Sequence, residues 1–470
     1  MGISLTKKDV VWSYTGQFFK LASGILILPI ILRMLSTEEI ALNYLIGALG
    51  ALVALFDFGF SPQFGRNITY VFSGAQELKK EGLQVLTQSA SVNYKLLVNI
   101  IDTAKHVYLR IAIIITLVLM TFGTWYIYEV TNGFTSVNHV LFIWIVTIIS
   151  SFFNFYFAYF DSLLIGKGLI QEANKAMMFS KIVYLSIAIS TLYMGFGLLG
   201  VSIASLASAF VYRTISYYYF YDKAFLALIS GIQVDVAKRK ELFSNIWHNA
   251  RKLGLVLLSG YAINNFGMFL SGLYLNANEV ASYGILRQLI GIISPIATTL
   301  FISYNPTFSS LRVTGNKDKL IRVFAFAMNV YYLLFISGSL FLIFFGPAAL
   351  QVIGSQVVLP STIIMCVYCL VILLEGNHSS FATLIVTNNK VPFFKSSLIA
   401  GIFVVIGNYI FLAHTRYGLL GLILVQGAVQ LCYANWKWPL VVCQEFSLSF
   451  LNFLKIGFNE SLKKAKNIYA

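Results

Sequence analysis

The chain has 470 residues, 58% of them hydrophobic and 11% charged, with a mean hydropathy of +0.79. A soluble domain carries about 25% charged residues, so there are too few charges here to clothe a soluble surface, and long apolar runs along the whole length read as a polytopic membrane protein. The net charge of +15 does not indicate a nucleic-acid binder: the Lys and Arg are scattered through short polar connectors, as in cytoplasmic loops of membrane proteins, and are not gathered on one domain.

Taken in order, MGISLT at the N-terminus fits a myristoylation pattern, but only over six residues. Lys7 and Lys8 then lead into an apolar run, 11–32. It is too long for a signal-peptide core and lacks a small-x-small cleavage site, so it reads as an uncleaved first span. Eleven more follow, near 39–60, 108–128, 140–163, 179–196, 198–220, 253–275, 281–304, 323–345, 359–384, 394–413 and 419–441. Each is close to the roughly 20 residues a helix needs to cross the hydrocarbon, and none alternates as a barrel strand would.

Placing the N-terminus inside leaves only Arg33 and Arg416 of the 33 Lys and Arg on the outer face; Lys20, Arg213 and Arg287 fall within spans. Both termini are therefore expected in the cytoplasm. The connector 61–107 and the tail FLNFLKIGFNESLKKAKNI space apolar residues helically between charges, the pattern of helices lying at the cytoplasmic interface.

The chain also echoes itself. LSTEEIALNYLI (35–46) resembles LNANEVASYGIL (275–286), and Pro62-Gln63-Phe64 is answered by Pro306-Thr307-Phe308. The expected fold is all-α, with twelve transmembrane helices in two parallel six-helix halves around a central cavity: a bundle over 1–230, and a second over 231–470 that ends in the cytoplasmic amphipathic tail.

No P-loop, HExxH, GxSxG or dinucleotide fingerprint is present. Cys366, Cys369, Cys432 and Cys443 all sit in apolar runs, where a free Cys packs as a small apolar residue. Neither a metal nor a cofactor is expected. The informative residues are the ionisable ones placed in or at the edges of spans, since a mid-membrane charge costs at least about 2.5–3.5 kcal/mol and normally faces a cavity or a partner. Lys20, Arg213, Arg287, Asp161 and Glu375 are such residues, as is Asp57 in FDFGFSPQFGRN (56–67), where an acid is followed by Gly59, Pro62 and Arg66. Each has a plain reading as well. Lys20 and Arg213 can snorkel, Asp57 can cap a helix or pair with Arg66, and Asp161 and Glu375 can be ion-pair partners. Basic residues in both halves suit an anionic cargo such as a diphosphate. Gln17, Asn43, Asn154, Asn264, Asn265, Asn377 and Gln426 offer contacts to hydroxyls or, more plainly, hydrogen bonds between helices; the adjacent pair Asn264-Asn265 stands out. Pro29, Pro295 and Pro306 are candidate hinges.

The segment LSTEEIALNYLIGALGALVALFDFGFSPQFGRNITYVFSGA, its echo near 275–286 and the twelve-span order together resemble O-antigen repeat-unit flippases, of the superfamily of multidrug, oligosaccharidyl-lipid and polysaccharide exporters. The resemblance implies a multi-pass protein of the bacterial inner membrane. It would flip an undecaprenyl-diphosphate-linked oligosaccharide from the cytoplasmic to the periplasmic leaflet by alternating access, with membrane lipids and the O-antigen polymerase machinery as partners. Under it, Lys20, Arg213 and Arg287 would meet the diphosphate and anionic sugars, Asn264 and Asn265 would add polar contacts, Asp57 and Arg66 would hold an inner gate, and Asp161 and Glu375 would couple to protons or pair with the basic residues. Four rivals stand beside it: a drug or cation antiporter of the same superfamily, whose cavity would be acid-dominated; a lipid-linked peptidoglycan-precursor flippase, which two further C-terminal spans would favour; a polytopic O-antigen polymerase or ligase, which would need a large outer loop that this chain lacks; and a non-transporting scaffold, which would not explain charges held inside both halves.

Overall fold

The computed structural model describes residues 23–78, 91–313, 315–387 and 393–469. They form helices joined by short turns. The helices of the first part are α1 (Ser23–Met34), α2 (Thr37–Val53), α3 (Phe60–Phe72), α4 (Tyr94–Val118), α5 (Thr124–Val130), α6 (Val140–Phe157), α7 (Tyr159–Lys167), α8 (Ile170–Tyr193), α9 (Gly197–Phe220) and α10 (Lys223–Ile229). Then come α11 (Val236–Asn264), α12 (Phe266–Tyr274), α13 (Ala277–Ser303), α14 (Asn305–Val313), α15 (Lys317–Ile353), α16 (Thr362–Val386), α17 (Phe394–His414), α18 (Gly418–Cys432), α19 (Ala434–Glu445) and α20 (Phe450–Tyr469). Among the described residues, 10 helical stretches are long and apolar enough to cross a membrane. They coincide with ten of the expected spans. Of the other two, 11–32 lies largely outside the described residues and 253–275 is not a single helix. The chain divides into two compact units, Met1–Leu258 and Ser259–Ala470; the division falls within α11, later than the boundary at 230/231 expected from the basic linker.

In the first unit, α2 is opened by a capping box: the Ser36 side chain accepts from Glu39 N and the Glu39 carboxylate accepts from Ser36 N. The second carboxylate oxygen of Glu39 accepts from Leu198 N at 2.9 Å, at the start of α9. Gly197, at φ +55°, lets the chain turn there, and a Cβ on it would collide with Glu39 Oε1. The second unit repeats this arrangement in part, with the N-cap and the nearby glycine. The Asn276 side chain caps α13 by accepting from Glu279 N at 3.0 Å, and Gly418, at φ +50° and opening α18, would bring a Cβ to 3.2 Å from Glu279 Oε1. The Glu39 and Glu279 segments are the pair matched in the sequence. Phe196-Gly197-Leu198-Leu199-Gly200 and Tyr417-Gly418-Leu419-Leu420-Gly421 are a further echo, hidden from a fixed-offset comparison.

Span 2 does not simply end at FDFGFSPQFGRN. A short 3-10 turn, Ala54–Asp57, is followed by two left-handed residues, Phe58 (φ 45°) and Gly59 (φ 75°), and α3 then continues. Pro62 sits harmlessly in the first turn of α3, where backbone N–H groups have no helical acceptor. Small residues let α3 lie against α7: a Cβ on Gly166 would strike Ile68 and Gly65 O, and Ser162 Oγ donates to Ser61 O at 2.9 Å.

The connector 61–107 also departs from expectation. Residues 60–72 are α3, residues 79–90 lie outside the described set, and residues from Tyr94 onward belong to α4, which runs on into the third span. The amphipathic tail is a helix as expected, but it is docked. Within the second unit Phe453 of α20 is buried against Phe324 and Phe381, Asn329 donates to Ser461 Oγ at 2.8 Å, and Gly457 passes so close to Ala325 that a Cβ would not fit.

Candidate functional site

In the second unit the predicted span 253–275 breaks at the adjacent asparagines. α11 ends at Asn264, Asn265 adopts φ −119° and ψ −26°, and α12 begins at Phe266. The N–H of Met268, which would bond Asn264 O in a continuous helix, goes to Asn265 O at 3.1 Å. Arg287 of α13 takes up the freed carbonyl: its Nη2 donates to Asn264 O at 2.7 Å and to Asn265 Oδ1 at 3.0 Å. The guanidinium also lies 5.6 Å from the centre of the Tyr283 ring. One orphaned backbone acceptor and one in-span cation thus supply each other's partner.

Arg287 lines a cavity of about 450 Å³. Glu375 of α16 lines it too, half-buried, and Gln426 of α18 ties it to the break: Gln426 Nε2 donates to Glu375 Oε2 at 3.0 Å and to Asn264 Oδ1 at 3.2 Å. Arg287 and Glu375 form no ion pair with each other; the asparagine and the glutamine stand as their intermediaries. The remaining wall is rich in hydroxyls, from Ser294, Thr298, Ser379, Ser380, Thr383 and Tyr368. Pro295 does not break α13, which runs through it. Having no N–H, it leaves the carbonyl of Gly291, another cavity residue, without its helical donor. Behind Glu375, Tyr331 of α15 donates to Leu373 O at 3.0 Å and Tyr332 to Asn377 Oδ1 at 2.5 Å.

Comparison with solved structures locates this architecture. The chain superimposes on an inward-facing multidrug resistance MATE family transporter of the MOP superfamily with a TM-score of 0.58, over 94% of this chain and 99% of that one at 15% identity. It superimposes on the lipid II flippase MurJ, in an inward closed conformation, with a TM-score of 0.63, over 96% of this chain and 91% of that one at 15% identity. An outward-facing MATE family transporter gives 0.52, at 16% identity and 94% of each chain. This is the fold of MOP-superfamily transporters. No protein-family model matches the chain, and no curated protein matches it. These three solved structures are two transporters and a flippase, not enzymes. Among the described residues no group of three or more His, Cys, Asp and Glu is placed to hold a metal ion.

In the first unit the sequence-derived candidates have other partners than those expected. Asp57 and Arg66 do not pair. Asp57 Oδ1 accepts from Tyr108 OH at 2.7 Å and Oδ2 from Ser61 N at 3.4 Å, while Arg66 donates to Gln63 one turn back. The break at Phe58-Gly59 explains this: it leaves Asp57 ahead of α3, where it caps Ser61, while Arg66 lies in the second turn of α3, on the face of Gln63. Asp161 likewise accepts from a tyrosine, Tyr212 OH, at 2.6 Å. Both acids stand beside helix interruptions, at Phe58-Gly59 and at Ala158, and the Ser162–Ser61 bond joins the two segments. Arg213 is exposed, between the Phe157 and Tyr217 rings at 5.5 and 5.7 Å, and has no ion-pair partner among the described residues. Lys20 and Gln17 lie outside the described residues.

The structure therefore brings Asn264, Asn265, Arg287 and Glu375 into one site and adds Gln426 as their link. The hydroxyl wall was missed. Ser and Thr recur throughout the apolar runs, and those at the cavity, such as Thr298, Ser380 and Thr383, bond their own helix as the others do, so only the three-dimensional cavity singles them out. Chemically the site offers one fixed guanidinium, one carboxylate and several neutral acceptors and donors. It can hold an anionic group at Arg287 and hydroxyl or ammonium groups near Glu375.

Proposed function

We propose that this protein flips an undecaprenyl-diphosphate-linked O-antigen oligosaccharide from the cytoplasmic to the periplasmic leaflet of the bacterial inner membrane by alternating access, with both termini in the cytoplasm. The observation that carries the reading is Arg287: a guanidinium held by a broken helix, not neutralised by a carboxylate, and facing a cavity walled with hydroxyls. Such a fork matches a diphosphate oxygen, and the surrounding amides and hydroxyls match sugar. The fold adds support, since it is shared with a lipid II flippase. Glu375 in the same cavity favours a second reading, a drug or cation antiporter on the fold of the MATE transporters.

Deleting the gene in its host and complementing with wild type or Arg287→Gln separates the two. Flippase function predicts loss of the O-antigen bands of lipopolysaccharide, with lipid-linked oligosaccharide accumulating on the cytoplasmic leaflet. Wild type then restores the bands and the variant does not. An unchanged banding pattern in a strain lacking any other flippase, together with raised drug sensitivity, would favour the antiporter.

A further inference from the structure

A second cavity in the same unit, of about 250 Å³, shares Ser379 and Thr383 with the first but differs in character. Among the described residues, no Asp, Glu, Lys or Arg lines it. Its walls include Phe393, Tyr433 and Trp438, whose indole is buried and fixed edge-to-face by Phe393 at 6.0 Å and Tyr433 at 5.8 Å. Gln430 also lines it, at 2% exposure, and its Oε1 is buried with no hydrogen-bond partner. A buried acceptor left unmet forfeits its hydration, and an arriving donor would restore the lost hydrogen bond. His378 stands beside it. Its Nδ1 donates to Asn435 Oδ1 at 2.7 Å, so the neutral imidazole keeps Nε2 as an acceptor. Ser396 and Ser397 add hydroxyls.

We infer that this cavity is a saccharide subsite that takes one neutral sugar ring of the cargo. An aromatic wall, an unmet amide oxygen, a ring nitrogen and several hydroxyls are complementary to a polyhydroxylated ring with apolar C–H faces. The lack of Asp, Glu, Lys and Arg among the described lining residues disfavours a phosphate or an ammonium group. The volume lies below the roughly 300–1,000 Å³ of sites for drug-sized ligands, so the cavity holds one ring and not a chain. Because the two cavities share Ser379 and Thr383, a single molecule can place an anionic group at Arg287 and a neutral sugar here. This inference rests on the reading of the cargo as a lipid-linked oligosaccharide.

The test uses the full-length protein in nanodiscs and two probes. Methyl glycosides of glucose and galactose, with free N-acetylglucosamine, are followed by saturation-transfer NMR; inorganic pyrophosphate is followed by its phosphorus line width. At least one saccharide is expected to give a saturable signal. Gln430→Met, which keeps the volume and removes the acceptor, should weaken it at least fivefold, as should Trp438→Phe should the first variant prove unstable. Arg287→Gln should remove the pyrophosphate response. If no saccharide gives a saturable signal, the cavity holds solvent only and the inference fails. It fails equally if Gln430→Met, folded, binds as wild type. Pyrophosphate binding without saccharide binding overturns the subsite alone; saccharide binding without pyrophosphate binding overturns the diphosphate role of Arg287 alone.

Discussion

Arg287 shows how a charge is kept within a span. Its insertion costs about 2.5–3.5 kcal/mol. Two charge-assisted hydrogen bonds of about 1.5–3 kcal/mol each, with the Tyr283 ring, are enough to offset that without a counter-charge, and so leave its positive charge available to a ligand. Arg287→Gln should reduce transport at least tenfold while the purified protein keeps its elution profile. Arg287→Lys should recover only part of it, because an ammonium cannot bridge the Asn264 carbonyl and the Asn265 amide as a planar fork does. The Asp57–Tyr108 bond supports a different expectation. If the break at Phe58-Gly59 moves during transport, Asp57→Asn and Tyr108→Phe should each slow transport, and the double variant should be no slower than the worse single one, since both remove one interaction. Unchanged transport in a well-expressed Asp57→Asn protein would contradict a gating role for this residue.

At the level of elements, the Glu39 carboxylate pins the opening of α2 to that of α9, and Glu279, at the opening of α13, lies beside Gly418 at the opening of α18. The two glycines are not equally tight. Gly197→Ala forces a left-handed Cβ into the Glu39 carboxylate, whereas Gly418→Ala meets Glu279 at 3.2 Å. The strain of a non-glycine residue at positive φ costs roughly 1–2 kcal/mol, so both should lower the thermal midpoint in detergent, Gly197→Ala by clearly more. Equal shifts would contradict the contact. The turn after α9 has its own pH dependence. Lys167 Nζ bonds Asp222 Oδ2 at 2.9 Å, and the Asp222 carboxylate also accepts from Phe225 N; the lysine hydrogen bond first, and then the backbone bond, hold its pKa below the usual carboxylate range. A depressed folded pKa contributes stability above the unfolded value of about 3.9 that is lost as pH falls through the folded pKa. Half of the Asp222 side chain is exposed, so solvent screening keeps the contribution at the surface-pair level, below about 1 kcal/mol. Asp222→Asn should remove that acid-side loss and leave the midpoint at pH 7 slightly lower, as thermal melts at pH 3 to 7 will show.

For the molecule as a whole, hydropathy carried most of the fold. Apolar runs long enough to cross a bilayer are unambiguous where nothing interrupts them, and ten of them are found as helices. The interruptions were harder to read. Asn264-Asn265 was singled out for its polarity, but that it breaks a helix depends on Arg287 arriving to cap the freed carbonyl, a contact far away in sequence. Pro295 does not interrupt α13, which runs through it, and a break in the chain comes at Tyr304-Asn305, ahead of Pro306. Asp57 and Arg66 looked like a pair because they are close in sequence, but two left-handed residues between them set them on different partners. Glu375 and Arg287 were legible because a charge in an apolar run is expensive anywhere. Gln430 and the uncharged second cavity were not, since nothing local distinguishes an amide that faces a cavity from one that bonds a neighbouring helix.

The most direct measurement is flipping itself, in proteoliposomes that contain only this protein and a fluorescent undecaprenyl-diphosphate oligosaccharide, with outer-leaflet probe quenched or enzymatically trimmed over time. Lipid-linked oligosaccharide flipping predicts that wild-type vesicles expose the inner-leaflet probe and that Arg287→Gln vesicles do so at least tenfold more slowly. Wild-type vesicles indistinguishable from protein-free ones, while the same preparation moves an organic cation across the bilayer, would contradict it.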